Sequence, residues 1–208
     1  MAGSGLGSGA SPERDTIFVA MLRGVNVSGR NRVPMEQLRE LTLELGHRQV
    51  STYIQSGNLV FRTSSRDPAD VARGLETALR ARFAVDVPVL VRSTAELAAT
   101  VAGNPLGGGG EDERSLHVTF LAKAPEPGRL AAIEPGFGFP DTYRLNGRDV
   151  YLSCRAGYGQ TKLNNGFFER RLGVAATTRN WATVRRLLEM AVGLSERPPD
   201  PPETTGTM

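Results

Sequence analysis

Apolar and polar positions alternate in two rhythms along the first hundred residues, and the rhythm changes at recognisable stops. Thr16 to Leu22 (TIFVAML) is a short β-favouring run bounded by a Gly/Asn-rich loop, which predicts a strand. Met35, Leu38, Leu41 or Thr42, and Leu45 then recur at the 3.6-residue period. Pro34 stands where a first helical residue needs no N–H, and Gly46 supplies a stop, so a one-sided helix is predicted between them. Val50 to Ile54 and Leu59 to Arg62 flank the turn-favouring Gln55-Ser56-Gly57-Asn58 and predict a hairpin. Val71, Leu75, Ala78, Leu79 and Arg82 or Phe83 mark a second amphipathic helix, and Val87 to Val91 a fourth strand. The order β-α-β-β-α-β is the split βαβ, or ferredoxin-like, arrangement.

The pattern partly returns further on. Leu116 to Leu121 predicts a strand and Glu126 to Ile133 a short helix. Thr142 to Leu145 and Val150 to Ser153 predict two strands joined at Asn146-Gly147, a type I′ hairpin signal. Helices are predicted over Thr161 to Leu172 and Trp181 to Ala191, the latter with Asn180 as N-cap and Trp181 anchoring it to a core. The expected fold class is therefore α+β, two ferredoxin-like (βαββαβ-type) halves with an extra C-terminal helix. Gly103 to Arg114, with four consecutive glycines and then charge, reads as a flexible linker. The expected organisation is a disordered tail over 1–14, an N-terminal domain over 15–102, a linker over 103–115, a C-terminal α+β domain over 116–195 and a Pro-rich disordered tail over 196–208.

Composition narrows the chemistry. The chain has 208 residues, enough to bury a full core without staples. Its single cysteine, Cys154, excludes an intramolecular disulfide and a thiolate metal cluster, which fits a reducing compartment. No apolar run approaches a membrane span, and the Gly/Ser-rich N-terminus lacks the features of a signal peptide, so no membrane partner and a cytoplasmic location are expected. His47 and His117 have no ligand-like companions, so no metal and no cofactor are expected. No G-x-S-x-G elbow occurs, and Glu169 and Asp149 are single carboxylates without specificity as general bases. The net charge of +3 is far below that of a DNA-coating protein. Local charge says more. Met21 to Met35 carries Arg23, Arg30 and Arg32 with no acid. Gln160 to Met190 carries Lys162, Arg170, Arg171, Arg179, Arg185 and Arg186 against Glu169 and Glu189. Each stretch reads either as a solvated basic face or as an anion-facing one.

Three polar loops concentrate the candidates. The first runs from Arg23 to Pro34, from a strand end to a helix start, where free N–H groups and the helix dipole suit an anion. Gly24 to Asn31 reads G-x-x-x-x-G-R-N, one step from a P-loop, but Arg30 and Asn31 replace the Lys and the Ser/Thr that phosphate and magnesium binding require, which argues against an NTPase. Its ligand-binding candidates are Arg23, Gly24, Asn26, Gly29, Arg30 and Arg32, with Ser56 and Asn58 of the hairpin turn. The second loop contributes Gly157, Gly159, Thr161, Lys162 and Asn165; the bland reading makes Thr161 a helix N-cap and Lys162 a solvated charge. The third, Ala175 to Trp181, contributes Arg179 and Asn180. An Arg179 buried here needs an acidic partner or a bound anion, because unpaired charge is costly to bury.

Three stretches carry a resemblance: FVAMLRGVNVSGRNRVPMEQLR, TYIQSGNLVF and GYGQTKLNNGFFERRLGVAATTRNWATV. Together, over about Thr16 to Leu194, the chain resembles the bacterial family catalogued as domain of unknown function 1697. That family commonly has Gly and Lys where this chain has Ser28 and Arg30, and Ser-Lys-Leu-Thr-Asn where it has Thr161 to Asn165. The resemblance implies an α+β fold with ferredoxin-like halves and carries no established activity.

Whether the protein is an enzyme is left open. The leading expectation is a small phosphorylated or otherwise anionic ligand bound by converging loops. The alternatives are a nucleic-acid-binding module that uses the basic C-terminal helices with Phe18, Tyr53, Phe61 and Phe120, and an oligomeric or partner-binding scaffold without a small ligand, of unknown oligomeric state.

Overall fold

The computed structural model describes residues 15–27, 29–107, 112–130 and 140–198. The expected tail over 1–14, most of the Pro-rich tail, Ser28, residues 108–111 of the linker and the end of the helix expected to Ile133 lie outside these residues. The first half comprises β1 (Thr16–Leu22), α1 (Met35–Glu44), β2 (Arg48–Tyr53), β3 (Asn58–Thr63), α2 (Pro68–Phe83), β4 (Val89–Ser93) and α3 (Thr94–Ala102). The second comprises β5 (Leu116–Leu121), α4 (Pro127–Leu130), β6 (Thr142–Asn146), β7 (Asp149–Ser153), α5 (Asn165–Leu172), β8 (Ala176–Asn180) and α6 (Trp181–Ser195). Each half forms a four-stranded sheet, in the orders β2-β3-β1-β4 and β6-β7-β5-β8, with every pairing antiparallel.

The continuous apolar run of β1 follows from burial on both faces, which removes the need for a polar alternate. Phe18, Ala20 and Leu22 pack under α1 and α2 through Leu38, Leu75 and Leu79, while Ile17, Val19 and Met21 face the opposite way. That second face meets Leu116, Val118 and Phe120 of β5 in a middle core shared by the two sheets, filled by Leu97 of α3 and by Trp181, Val184, Leu187 and Ala191 of α6. A third core, with Phe168, Leu172 and Leu152, lies under α5. Trp181 is buried and anchors α6.

Several sequence expectations shift. Pro34 is the N-cap of α1, not its first helical residue, and its carbonyl accepts the first helical bond from Leu38 at 2.9 Å. Leu45 is exposed at the helix end; Thr42 takes the inward place and donates its hydroxyl to the Leu38 carbonyl at 2.7 Å. Asn146 belongs to β6, and the hairpin turn is Gly147-Arg148, with positive φ at Gly147 alone; that is the type II′ pattern, which needs glycine only at its first central position. Asn164, not Thr161, caps α5, accepting from Phe167 N at 3.0 Å.

Two elements were not expected. In α3 the inward face is Leu97 and Thr100 within an Ala-rich stretch, too small an apolar stripe to register as periodic, although Ser93 and Glu96 form a capping box at its start. In β8 the buried positions are Ala176, Thr177 and Arg179, small or polar residues without the alternation that marks a strand. With α3 and β8 in place, the C-terminal helix is no longer extra: both halves read β-α-β-β-α-β-α.

Candidate functional site

A cleft of about 880 Å³ lies where the β1–α1 loop and the β2–β3 turn of the first half meet β8 and the start of α5 in the second. This is within the range of small-molecule sites. Its deepest charged group is Arg179. Because β8 pairs with the inner strand β5, the inward-pointing Arg179 is carried into the boundary between the halves, where it is only 8% exposed. All five of its N–H groups are satisfied, each by a neutral acceptor. Nε donates to Asn58 Oδ1 at 2.6 Å; one terminal nitrogen donates to Thr177 Oγ1 at 2.8 Å and the Thr178 carbonyl at 2.9 Å; the other donates to the carbonyls of Leu22 at 2.7 Å and Ser56 at 3.1 Å. Among the described residues no carboxylate pairs with it. Burial lowers its pKa to about 10, which still leaves it cationic at neutral pH. Arg179 thus ties the halves together and carries a charge with no carboxylate partner among the described residues.

Arg23 is held differently. Its Nε and Nη2 donate to the two carboxylate oxygens of Glu169, both at 2.6 Å, and Glu169 also accepts from Ala176 N at 3.1 Å. Hydrogen bonding to Glu169 raises the Arg23 pKa. Arg30 is exposed on the rim, in a small bridge with Val27 that folds the loop back on itself. Opposite these cations, the ring of His117 stacks on that of Tyr158 at 5.1 Å. His117 Nδ1 lies 2.9 Å from the Ser115 carbonyl, which can only accept, so Nδ1 carries the proton and neutral Nε2 is an acceptor; burial lowers its pKa. The Tyr158 hydroxyl donates to Thr178 Oγ1 at 2.9 Å, and Thr178 donates to Asn165 Oδ1 at 2.6 Å. Burial raises the Tyr158 pKa, keeping the phenol neutral. Ile54 stands 51% exposed on the rim with φ of 49°, a conformation unusual for a β-branched residue.

Of the residues singled out in the sequence, Arg23, Gly24, Arg30, Ser56, Asn165, Arg179 and Asn180 line this cleft. Asn58 is buried behind the wall, holding Arg179. Asn26 braces the first loop: its side chain donates to the Val33 and Gln55 carbonyls and accepts from Val33 N. Gly29 and Arg32 are exposed on that loop outside the lining, as are Gly159 and Lys162 on the second. Gly157 caps a 3-10 turn at φ 89°, and buried Thr161 accepts from Leu163 N. Asn180 also caps α6, accepting from Thr183 N at 2.8 Å. His117, Tyr158, Thr177, Thr178 and Ile54 were not anticipated as lining residues; Tyr158 sits inside the Gly157-x-Gly159 segment, so its loop was the available signal.

Phe18, Phe61 and Phe120 are core residues and Tyr53 is half-buried against the middle core. On the basic C-terminal helix, Arg185 pairs with Glu113 and Arg186 with Glu189. Among the described residues no group of His, Cys, Asp and Glu side chains has a metal-binding arrangement, and no helix is long and apolar enough to cross a membrane.

Fold and cleft define a two-sheet α+β protein with an arginine-walled cavity between its halves. The chain belongs to the family described as protein of unknown function (DUF1697), whose model matches residues 16–151. The C-terminal motif with Arg179 lies beyond that span. Among solved structures, the chain is similar to the conserved bacterial protein SP0830 from Streptococcus pneumoniae, at 23% identity and a TM-score of 0.68, covering 86% of this chain and 99% of that one. At this identity the likeness shows the fold alone. A search of curated proteins finds no match.

Proposed function

We propose that the cleft binds a small anionic ligand through its arginine wall. The observation that carries this reading is Arg179, a cation nearly removed from water, without a carboxylate among the described residues, at the wall of a cavity of ligand size. A buried charge of this kind is stabilised by an opposite charge brought close in low dielectric. Arg30 on the rim adds a second cation without an acidic partner among the described residues, and the Ser56 hydroxyl, which accepts from Asn58 Nδ2 at 2.9 Å, retains its own proton to donate. The strand order, identical in the two halves, supports treating each as a ferredoxin-like unit followed by one helix, with the cleft at their junction.

The test is thermal denaturation against nucleotides, sugar phosphates, acyl phosphates and simple carboxylates at constant ionic strength. A ligand present at a hundred times its Kd stabilises by about 2.7 kcal/mol, a shift of several degrees for a chain of this length. If no member of the panel moves the midpoint beyond an equal concentration of sodium chloride, the reading falls.

A further inference from the structure

The two halves repeat at the level of residue register, and the repeat contains a second buried arginine. Val19 of β1 pairs with Arg92 of β4, as Val118 of β5 pairs with Arg179 of β8. Arg92 is 1% exposed and donates from Nη2 to the carbonyl of Leu121, the last residue of β5, at 2.8 Å. Arg179 donates from its corresponding nitrogen to the carbonyl of Leu22, the last residue of β1, at 2.7 Å. Each arginine crosses to the other half and reaches the first residue of its third strand. For Arg92 that residue is Asp149, with Oδ1 at 3.4 Å; for Arg179 it is Asn58, with Oδ1 at 2.6 Å. The register confirms the equivalence: Asp149 faces Phe120 as Asn58 faces Met21.

The decisive difference at the two crossings is chemical. Arg92 has a carboxylate, which Thr100 also holds through a 2.6 Å hydrogen bond; Arg179 has the near-isosteric amide. The amide fills the same space without the charge, and on this side the crossing opens onto the 880 Å³ cleft. Three guanidinium groups line that cleft, and the carboxylate of Glu169 neutralises Arg23, so Arg30 and Arg179 leave two positive charges without a partner among the described residues. Resting on the anion-binding reading above, we infer that Asn58 is the specificity-determining residue of the cleft and that the ligand is a phosphomonoester dianion, which supplies the charge that Asp149 supplies at the twin crossing. Arg179 contributes charge alone, since its N–H groups are occupied. Arg30, the Ser56 hydroxyl and Nη1 of Arg23, which has no hydrogen-bond partner among the described residues, are the donors.

The experiment is titration of glycerol phosphate into the full chain and its Asn58→Asp variant at about pH 8, where a phosphomonoester is fully dianionic, with acetate as the monoanionic probe and Arg32→Gln as an exposed-cation control. Asn58→Asp is expected to fold, because the Arg92–Asp149 pair shows that a carboxylate is accommodated at the equivalent crossing and the new pair with Arg179 offsets the loss of the amide's donation to the Tyr53 carbonyl, and to bind glycerol phosphate at least about tenfold more weakly. Arg32→Gln is expected to keep binding, and acetate to bind the wild type more weakly than the phosphate does. Undiminished phosphate binding by Asn58→Asp overturns the inference while leaving the anion-binding reading intact. An Asn58→Asp chain that does not fold overturns it as well, since the two crossings are then not equivalent. Preference of the wild type for acetate rejects the dianion and leaves a carboxylate site. No response of the wild type to any anion removes the underlying reading.

Discussion

Arg179 carries the argument at the scale of single residues, and it also shows how far a sequence can be read. Its type and its setting among Thr177, Thr178 and Asn180 raised the question of a counter-charge, but its burial was not legible, because a strand with Thr and Arg at its inward positions lacks apolar alternation. Its five neutral acceptors make the guanidinium hard to replace. Arg179→Lys offers three donors in place of five and is expected to cost about 1–3 kcal/mol by leaving buried carbonyls unsatisfied, measured by urea denaturation; an unchanged midpoint would mean the cage contributes nothing. Cys154 is fully buried with its pKa pushed up to about 11, so its thiol is expected to react with a disulfide reagent only as fast as the chain opens. Burial lowers the pKa of both His47 and His117. Their folded values lie below the unfolded one of about 6.5, so the stability they contribute is present above that pH and is lost as pH falls through the folded values. A urea midpoint that stays flat from neutrality down to about pH 5 would contradict this.

Among the elements, the strands and helices with large apolar residues were legible: β1, α1, β3, α2 and β5 rest on Phe, Leu, Ile and Val at the expected period. α3 and β8 were not, for the common reason that their buried faces carry little apolar pattern: Leu97 and Thr100 alone in α3, and Ala176, Thr177 and Arg179 in β8. The element that shapes the cleft most tightly is the β2–β3 turn. Gly57 has φ of 70°, and a Cβ there would meet Val25 Cγ2 at 2.5 Å and Leu22 Cβ at 2.8 Å. Gly57→Ala is therefore expected to destabilise by more than about 1 kcal/mol, since backbone strain and overpacking act together, and to displace Ser56 from its place under Arg179. Loss of the α3 capping box in Ser93→Ala is expected to cost about 1 kcal/mol, as for other N-caps. Equilibrium denaturation of the two variants orders them, and a Gly57→Ala chain as stable as wild type would show that the turn gives way easily.

For the whole molecule, the repeat was legible in outline and the way its copies meet was not. The Gly-rich segment suggests separable halves, yet Ile17, Val19, Met21 and Leu90 of the first sheet share a core with Val118, Phe120 and Val184 of the second half, and Arg92 and Arg179 cross between the halves in opposite senses. Sequence periodicity reports which residues are inward, not which sheet they will meet. Calorimetry is expected to give one cooperative transition, with equal calorimetric and van't Hoff enthalpies; two resolved transitions would contradict a shared core. The cleft is a product of that junction, since neither half alone contains both Arg30 and Arg179, and its lining carries a surplus of positive charge among the described residues. The most direct measurement is isothermal titration of glycerol phosphate, at fixed ionic strength, into the intact protein and into Arg30→Gln, a substitution at an exposed rim residue. One saturable site per chain, weakened in the variant, is the predicted result; a flat isotherm for the intact protein, or equal affinity for both proteins, would contradict it.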